Sequence, residues 1–205
     1  MVEETLVVKR NILFKDKYFE GFLHVNEHDF IPTILKNFEY HLKGNELENK
    51  SALQQIIPYV WIVNPKEKKV FAYKRASEKQ NYSETRLMNK WSCGIGGHID
   101  RGDSDDPVQN AMMRELMEEV SMVKYPKPKV VGYLNDDSDS VGKVHFGVVA
   151  IAETIEDVKK GDNEMVHGQF YSIKELEDIL SNPENDVEKW TKFSWPFVKD
   201  YLNKI

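Results

Sequence analysis

Cysteine is almost absent from this chain. Cys93 is the only one in 205 residues, which rules out an intrachain disulfide and argues against a cysteine-held zinc site. Long apolar runs are missing as well: nothing approaches the roughly 18 residues that a membrane-spanning helix requires. The opening MVEETLVVKR has no basic region followed by an apolar stretch, so no secretory leader is expected. These absences point to a cytoplasmic protein that makes no membrane contact. Nor is there an excess of positive charge. Lys and Arg number 28 against 34 Asp and Glu, a formal balance of −6, with the two signs interspersed. Such a surface disfavours nonspecific binding to nucleic acid or to an acidic membrane. It still admits a small nucleotide, because one pocket can be locally basic or can recruit a cation. Repeats and low-complexity tracts are absent too.

What remains is a globular composition, 40% apolar and 30% charged, on a chain long enough for one large domain or for about 150 residues with an elaboration. Residues 5–8 (TLVV) and 19–25 (FEGFLHV) read as short strands around the turn-like KDK. A helix is expected from about Glu27 to Leu42: Phe30, Ile31, Ile34, Leu35, Phe38 and Leu42 share one face, Asn26 suits the cap, and Gly44 lies past the end. A polar connector at 43–51 follows. IIPYVWIV, NPKEKK and VFAYKR then read as a hairpin turning at Asn64-Pro65. After a polar loop at 77–90, WSCGIGGHI is a strand that dissolves into glycines. A helix from about Pro107 to Val120, capped by Asp105 or Asp106, precedes strands at 129–134, 144–152 and roughly 165–171. Helices at 172–180, with Ser172 as cap, and at 187–203 close the chain. Strands and helices alternate and hairpins occur, so the expected class is α/β of the α+β type, a mixed sheet with helices on both faces.

The chemistry concentrates in GGHIDRGDSDDPVQNAMMRELMEEVSM, Gly96 to Met122. On a helix at about 100° per residue, Glu118 and Glu119 fall within about 60° of Glu115 on either side. Met112, Met113, Leu116 and Val120 form the neighbouring apolar stripe, which buries against a sheet, and the small Ala111 lies among the carboxylates. Acids at these spacings repel by roughly 0.2–0.5 kcal/mol per pair on an exposed helix. Arg114 offsets Glu118, yet Glu115 and Glu119 have no base four residues on. A divalent cation with a taste for hard oxygen ligands, magnesium or manganese, resolves the conflict. A solvated acidic face is the bland alternative. Against it stands the Gly-Gly turn before the helix, whose bare backbone can offer a carbonyl.

This segment resembles the box of the Nudix (MutT-like) hydrolase family: Gly, five residues, Glu, seven residues, Arg-Glu, aliphatic, any, Glu-Glu, any, Gly, aliphatic. Gly97 matches the leading glycine, and Arg114-Glu115-Leu116-Met117-Glu118-Glu119 fits the core without a mismatch. Three departures stand out. Asp103 replaces the first glutamate, the gap to Arg114 carries three extra residues within Ser104–Asp106, and Ser121 stands for the closing glycine.

The resemblance implies an α/β/α sandwich over 51–205 and leaves 1–50 as an N-terminal extension packed on it. It implies magnesium- or manganese-dependent cleavage of a phosphoanhydride in a nucleoside diphosphate derivative. Glu118 and Glu119 become metal ligands, Glu115 either base or ligand, and the Gly96 carbonyl a further ligand. Arg114 orients the glutamates. Glu164, in GDNEMVHGQFYSI, matches the family's loop that supplies an extra carboxylate, and Glu153 fits that role less well. Arg75 and Arg86 are candidates for a substrate phosphate and His98 for substrate or metal, each with an ordinary structural role as the alternative. Asp103 is either a loop support or a second-metal residue, and Cys93 a buried filler. Isopentenyl diphosphate isomerase, a neighbour in this fold, is disfavoured because Cys93 is misplaced for its nucleophile. A noncatalytic nucleotide sensor of the same fold is the alternative function. The partner expected is a small nucleotide, and exchange of N-terminal strands is compatible with a homodimer.

Overall fold

The structure, a computed structural model, describes residues 3–76, 88–161 and 165–205. Among them no helix is long and apolar enough to cross a membrane. In chain order the first elements are β1 (Glu4–Lys9), α1 (Arg10–Leu13), β2 (Gly21–His24), α2 (Ile31–Asn37) and β3 (Phe38–Leu42). Next come β4 (Leu53–Asn64), β5 (Lys69–Arg75), β6 (Trp91–Ser92), β7 (Gly94–Ile95), α3 (Pro107–Glu119) and β8 (Val120–Ser121). The last are β9 (Lys129–Asn135), β10 (His145–Glu153), β11 (Lys159–Lys160), β12 (Met165–Ser172), α4 (Ile173–Ser181) and α5 (Lys189–Lys204). The class is α+β, with a mixed β-sheet and flanking helices, as the alternation of the sequence predicts.

Two compact units emerge. The first takes Met1–Tyr59, Gly96–Met112 and Lys129–Ala150; the second takes Val60–Ile95, Met113–Pro128 and Ile151–Ile205. In the first, β1 pairs antiparallel with β3 (Glu4↔Leu42 to Val8↔Phe38) and with the start of β4 (Val7↔Gln55, Val8↔Gln54, Lys9↔Leu53). With neighbours on both edges, β1 is buried from Thr5 to Val8 rather than alternating. Beside it an aromatic cluster of Phe14, Phe19, Phe30, Tyr133 and Phe146 meets mostly edge to face, the favoured arrangement for ring quadrupoles.

The helix expected over 27–42 is a correction. Only Ile31–Asn37 is helical, with Pro32 in its first turn; the Ile31 N–H donates to Asp29 Oδ1 (3.0 Å), so Asp29 rather than Asn26 serves the start. FEYHL leaves the helix and becomes β3. Its Phe38 and Tyr40 also satisfy the two-residue repeat of a strand, and their rings touch at 5.5 Å. The free edge of β1 needed partners for its backbone groups, a demand that local periodicity does not register.

The second unit is built around β5, which pairs antiparallel with β12 (Met165↔Arg75 to Ser172↔Lys69), with β4 (Val63↔Val70, Asn64↔Lys69) and with β6 (Tyr73↔Ser92, Lys74↔Trp91). The expected hairpin forms: Asn64 Oδ1 accepts the Glu67 N–H at 3.0 Å and sets the turn. Ser172 caps α4 in a reciprocal box with Glu175, also as expected. Trp61 stacks on Trp195 and donates its indole N–H to Ser194 Oγ at 3.1 Å, tying β4 to α5.

Candidate active site

Helix α3 begins as its sequence dictates. Asp106 Oδ1 accepts the Gln109 N–H (3.3 Å), and the Asp106 carbonyl accepts from Asn110 (2.9 Å), so Asp106 and not Asp105 performs the cap. Asp105 instead takes a left-handed φ of 70°, which aspartate tolerates better than most residues, within the inserted Ser104–Asp106. Val108, Ala111, Met112, Leu116 and Val120 are buried, whereas Met117 and Glu118 are exposed. The buried stripe is therefore the predicted one, apart from Met113, which is half-buried.

Burial does not stop at the apolar residues. Glu115 and Glu119, one helical turn apart, are 8% and 6% exposed. Arg114 Nη1 donates to Glu115 Oε1 at 2.7 Å and to Glu118 Oε2 at 3.2 Å, holding two of the three carboxylates from one guanidinium. The helix ends without the missing glycine. It passes directly into β8, which pairs with β11, and the Gly161 N–H donates to the Glu119 carbonyl at 2.8 Å. A Cβ at residue 161 would sit 3.0–3.1 Å from backbone atoms of Glu118 and Glu119, so only glycine approaches this closely without displacement.

Around Tyr73 the second unit holds further buried polar groups. Tyr73 donates its hydroxyl to the Gly94 carbonyl at 2.7 Å. Burial pushes its pKa well above the ordinary phenol value; Arg75 opposes that shift, and the negative charges of Glu119 and Glu188 add to it. Arg75, expected to meet a substrate phosphate, is instead buried with its Nε donating to Glu188 Oε1 at 2.5 Å. Ser92 Oγ donates to the other Glu188 oxygen at 2.7 Å. Cys93 is buried, its N–H donates to Thr191 Oγ1 at 3.2 Å, and desolvation raises its thiol pKa, the inert filler foreseen. Glu153 is exposed and accepts the Tyr201 hydroxyl.

The remaining candidates divide as follows. Gly96 belongs to the first unit, where a Cβ would fall well inside contact distance of the Pro58 carbonyl oxygen, so the turn before α3 demands glycine. Asp103 is 6% exposed and closes a turn: its Oδ2 accepts the Asp100 N–H and its N–H donates to the Asp100 carbonyl, both at 2.9 Å. His98 lies with its Nε2 2.9 Å from Gln55 Oε1 and its ring 5.6 Å from that of His145. Arg86 and Glu164 fall outside the described residues. Sequence reasoning missed Glu188 as the partner of Arg75, and Glu48 and His145 as neighbours of His98. Each partner lies many residues away, and no local spacing signals it.

The chemistry of the α3 donor set suits a hard divalent cation: three carboxylates, two of them buried, carried by one helix with a single arginine. Comparison with known proteins points the same way. The NUDIX domain family model matches residues 53–195. Protein YmaB of Bacillus subtilis (strain 168) is 30% identical over 208 residues, covering 94% of this chain and 96% of that protein. The crystal structure of Tm1382 superposes with a TM-score of 0.75 at 27% identity, over 99% of this chain and 100% of that one. A bifunctional NMN adenylyltransferase/ADP ribose pyrophosphatase of Francisella tularensis shares the fold alone, with a TM-score of 0.52 at 11% identity over 73% of this chain and 42% of its own. The box on α3, the fold around it and a relative spanning nearly the whole chain lead to one assignment: this chain belongs to the Nudix family.

Proposed function

We propose that this protein is a magnesium- or manganese-dependent hydrolase that cleaves a phosphoanhydride in a nucleoside diphosphate joined to another group. Nudix proteins are generally pyrophosphohydrolases that use a divalent metal. The observation that carries the reading is the pair of buried carboxylates Glu115 and Glu119 on one helix, beside Glu118 and under a single arginine. Burying two like charges at this spacing is costly unless a cation or further donors compensate. In the proposed site Glu118 and Glu119 hold the cation. Glu115, oriented by its hydrogen bond from Arg114, would accept a proton from water or add a third ligand oxygen. A bound divalent ion supplies two things here: a lowered pKa for coordinated water and neutralisation of charge developing on phosphate oxygens. Arg114 keeps two carboxylates from swinging apart, so the acceptors are in place before substrate arrives. Glu164 as an extra carboxylate and Arg86 as a phosphate contact complete the proposal on the strength of the sequence alone.

The experiment is a panel of ADP-ribose, nucleoside triphosphates, dinucleoside polyphosphates and nucleotide sugars, assayed with magnesium or manganese and again with EDTA. Release of a monophosphate product from at least one substrate, abolished by EDTA, is the expected result. Tight nucleotide binding with no turnover across the panel would replace the hydrolase by a sensor.

A further inference from the structure

We propose that the first unit carries a separate cation site, for zinc or a similar imidazole-preferring transition ion, formed by Glu48, His98 and His145. Three distant segments converge there. Glu48 lies in a single 3₁₀ turn (Leu47–Asn49), His98 follows β7, and His145 opens β10 directly after a second 3₁₀ turn (Gly142–Val144). One nitrogen from each ring and a Glu48 oxygen all lie within 4.8 Å of one another. Two imidazoles and one carboxylate are a zinc donor set with a fourth position left to solvent or a ligand. They are a poor set for magnesium, which favours oxygen. The site thus differs in kind from the carboxylates of α3 and does not depend on the hydrolase reading.

The hydrogen bonds behind these side chains are those of an outer ligand shell. His145 Nδ1 is 2.8 Å from the Val141 carbonyl, which can only accept, so Nδ1 carries the hydrogen and a neutral ring keeps its lone pair on Nε2. That Nε2 is 3.9 Å from Glu48 Oε1, beyond hydrogen-bond reach. Two ligands of a tetrahedral zinc stand about 3.3 Å apart, so a shift of roughly half an ångström closes the pair onto an ion. Gln55, almost fully buried on β4, braces the other two residues. Its Nε2 donates to Glu48 Oε1 at 3.0 Å, which turns its Oε1 towards His98 Nε2 at 2.9 Å. His98 Nε2 must then be the donor, leaving Nδ1 as its unprotonated nitrogen.

The test uses the full chain, stripped with a chelator and titrated with zinc against a chromophoric competitor, and with cobalt to read the visible bands of a low-symmetry site. Wild type should take up one tightly held equivalent that millimolar magnesium does not displace. His98→Ala and His145→Ala should abolish it. Glu48→Gln, which removes a charged ligand on a partly exposed turn, should weaken it by more than about tenfold, and Gln55→Leu by about tenfold, the size of effect that outer-shell changes produce. Glu119→Gln should retain it in full. Circular dichroism identifies any variant that fails to fold, in which case Glu48→Gln decides the matter. Absence of a tight equivalent in wild type, unchanged affinity in Glu48→Gln, or loss of the zinc in Glu119→Gln each overturns the site.

Discussion

Glu188 and Glu119 are both buried carboxylates of the second unit, 5% and 6% exposed, yet their surroundings differ in charge balance. Glu188 faces Arg75, itself 8% exposed, and takes the Ser92 hydroxyl on its second oxygen; one acid meets one base and the account closes. Glu119 belongs to a helix on which three acids share one arginine, and that arginine engages Glu115 and Glu118. Solvent exposure alone does not separate the two cases, and neither does residue type. Balance does. A buried pair of one acid and one base serves the fold, while a helix that gathers three acids around one arginine is suited to receive a cation.

The largest expected effect strikes the matched pair. Arg75→Met strands Glu188 without its guanidinium and should cost about 3–5 kcal/mol, whereas Arg75→Met with Glu188→Leu should recover most of that loss. Equilibrium urea denaturation of the two variants checks this. A cost below about 1 kcal/mol for the single change would return Arg75 to the substrate-contact role read from the sequence.

Next in size is Glu119→Gln, which should lower turnover of the panel's best substrate by about 10²–10³-fold, the usual effect of removing one group that stabilises transition-state charge. Its unfolding free energy should change far less than that of Arg75→Met. Should stability and activity collapse together, Glu119 is another Glu188 and the contrast fails.

Cation addition sharpens the same contrast. At about 100 times the dissociation constant, magnesium should stabilise wild type by about 2.7 kcal/mol, with a clear rise in melting temperature. Glu119→Gln should show little of it, and sodium chloride at matched ionic strength should not reproduce it. Equal shifts in both salts mean that the acids are merely screened.

The smallest effect belongs to Glu118→Gln without metal. This carboxylate is exposed, and the change removes both repulsion by its neighbours and a 3.2 Å contact with Arg114. The two oppose, so stability should move by no more than about 0.5 kcal/mol in either direction. A loss several times larger would mean that Glu118 is structural.

The box helix was legible because everything that defines it is local: the i, i+3, i+4 spacing of its glutamates, the aspartate at its start, the apolar stripe beside them. The hairpin at Asn64 and the capping box at Ser172 were legible for the same reason. β3 was not, because FEYHL satisfies helical and strand repeats alike and its partner β1 lies some thirty residues upstream. Nor was the fate of Arg75, which Glu188 decides across 113 residues, or the company of His98, drawn from turns about fifty residues away on either side. Periodicity reports which face a residue occupies; it carries no information about what folds back against that face.

The amide of Gly161 closing on the Glu119 carbonyl has a consequence for motion. The last turn of an α-helix ordinarily frays, since its carbonyls lack intrahelical donors. Here unwinding that turn means also breaking a tie to a residue forty-two positions downstream, so the end of α3 opens only together with the β8–β11 pair. Amide deuterium exchange at Gly161 should accordingly be slow even in the metal-free protein, paced by a cooperative opening rather than by end fraying. The turn that carries Glu118 and Glu119 is thereby kept wound in spite of their repulsion, before any cation arrives.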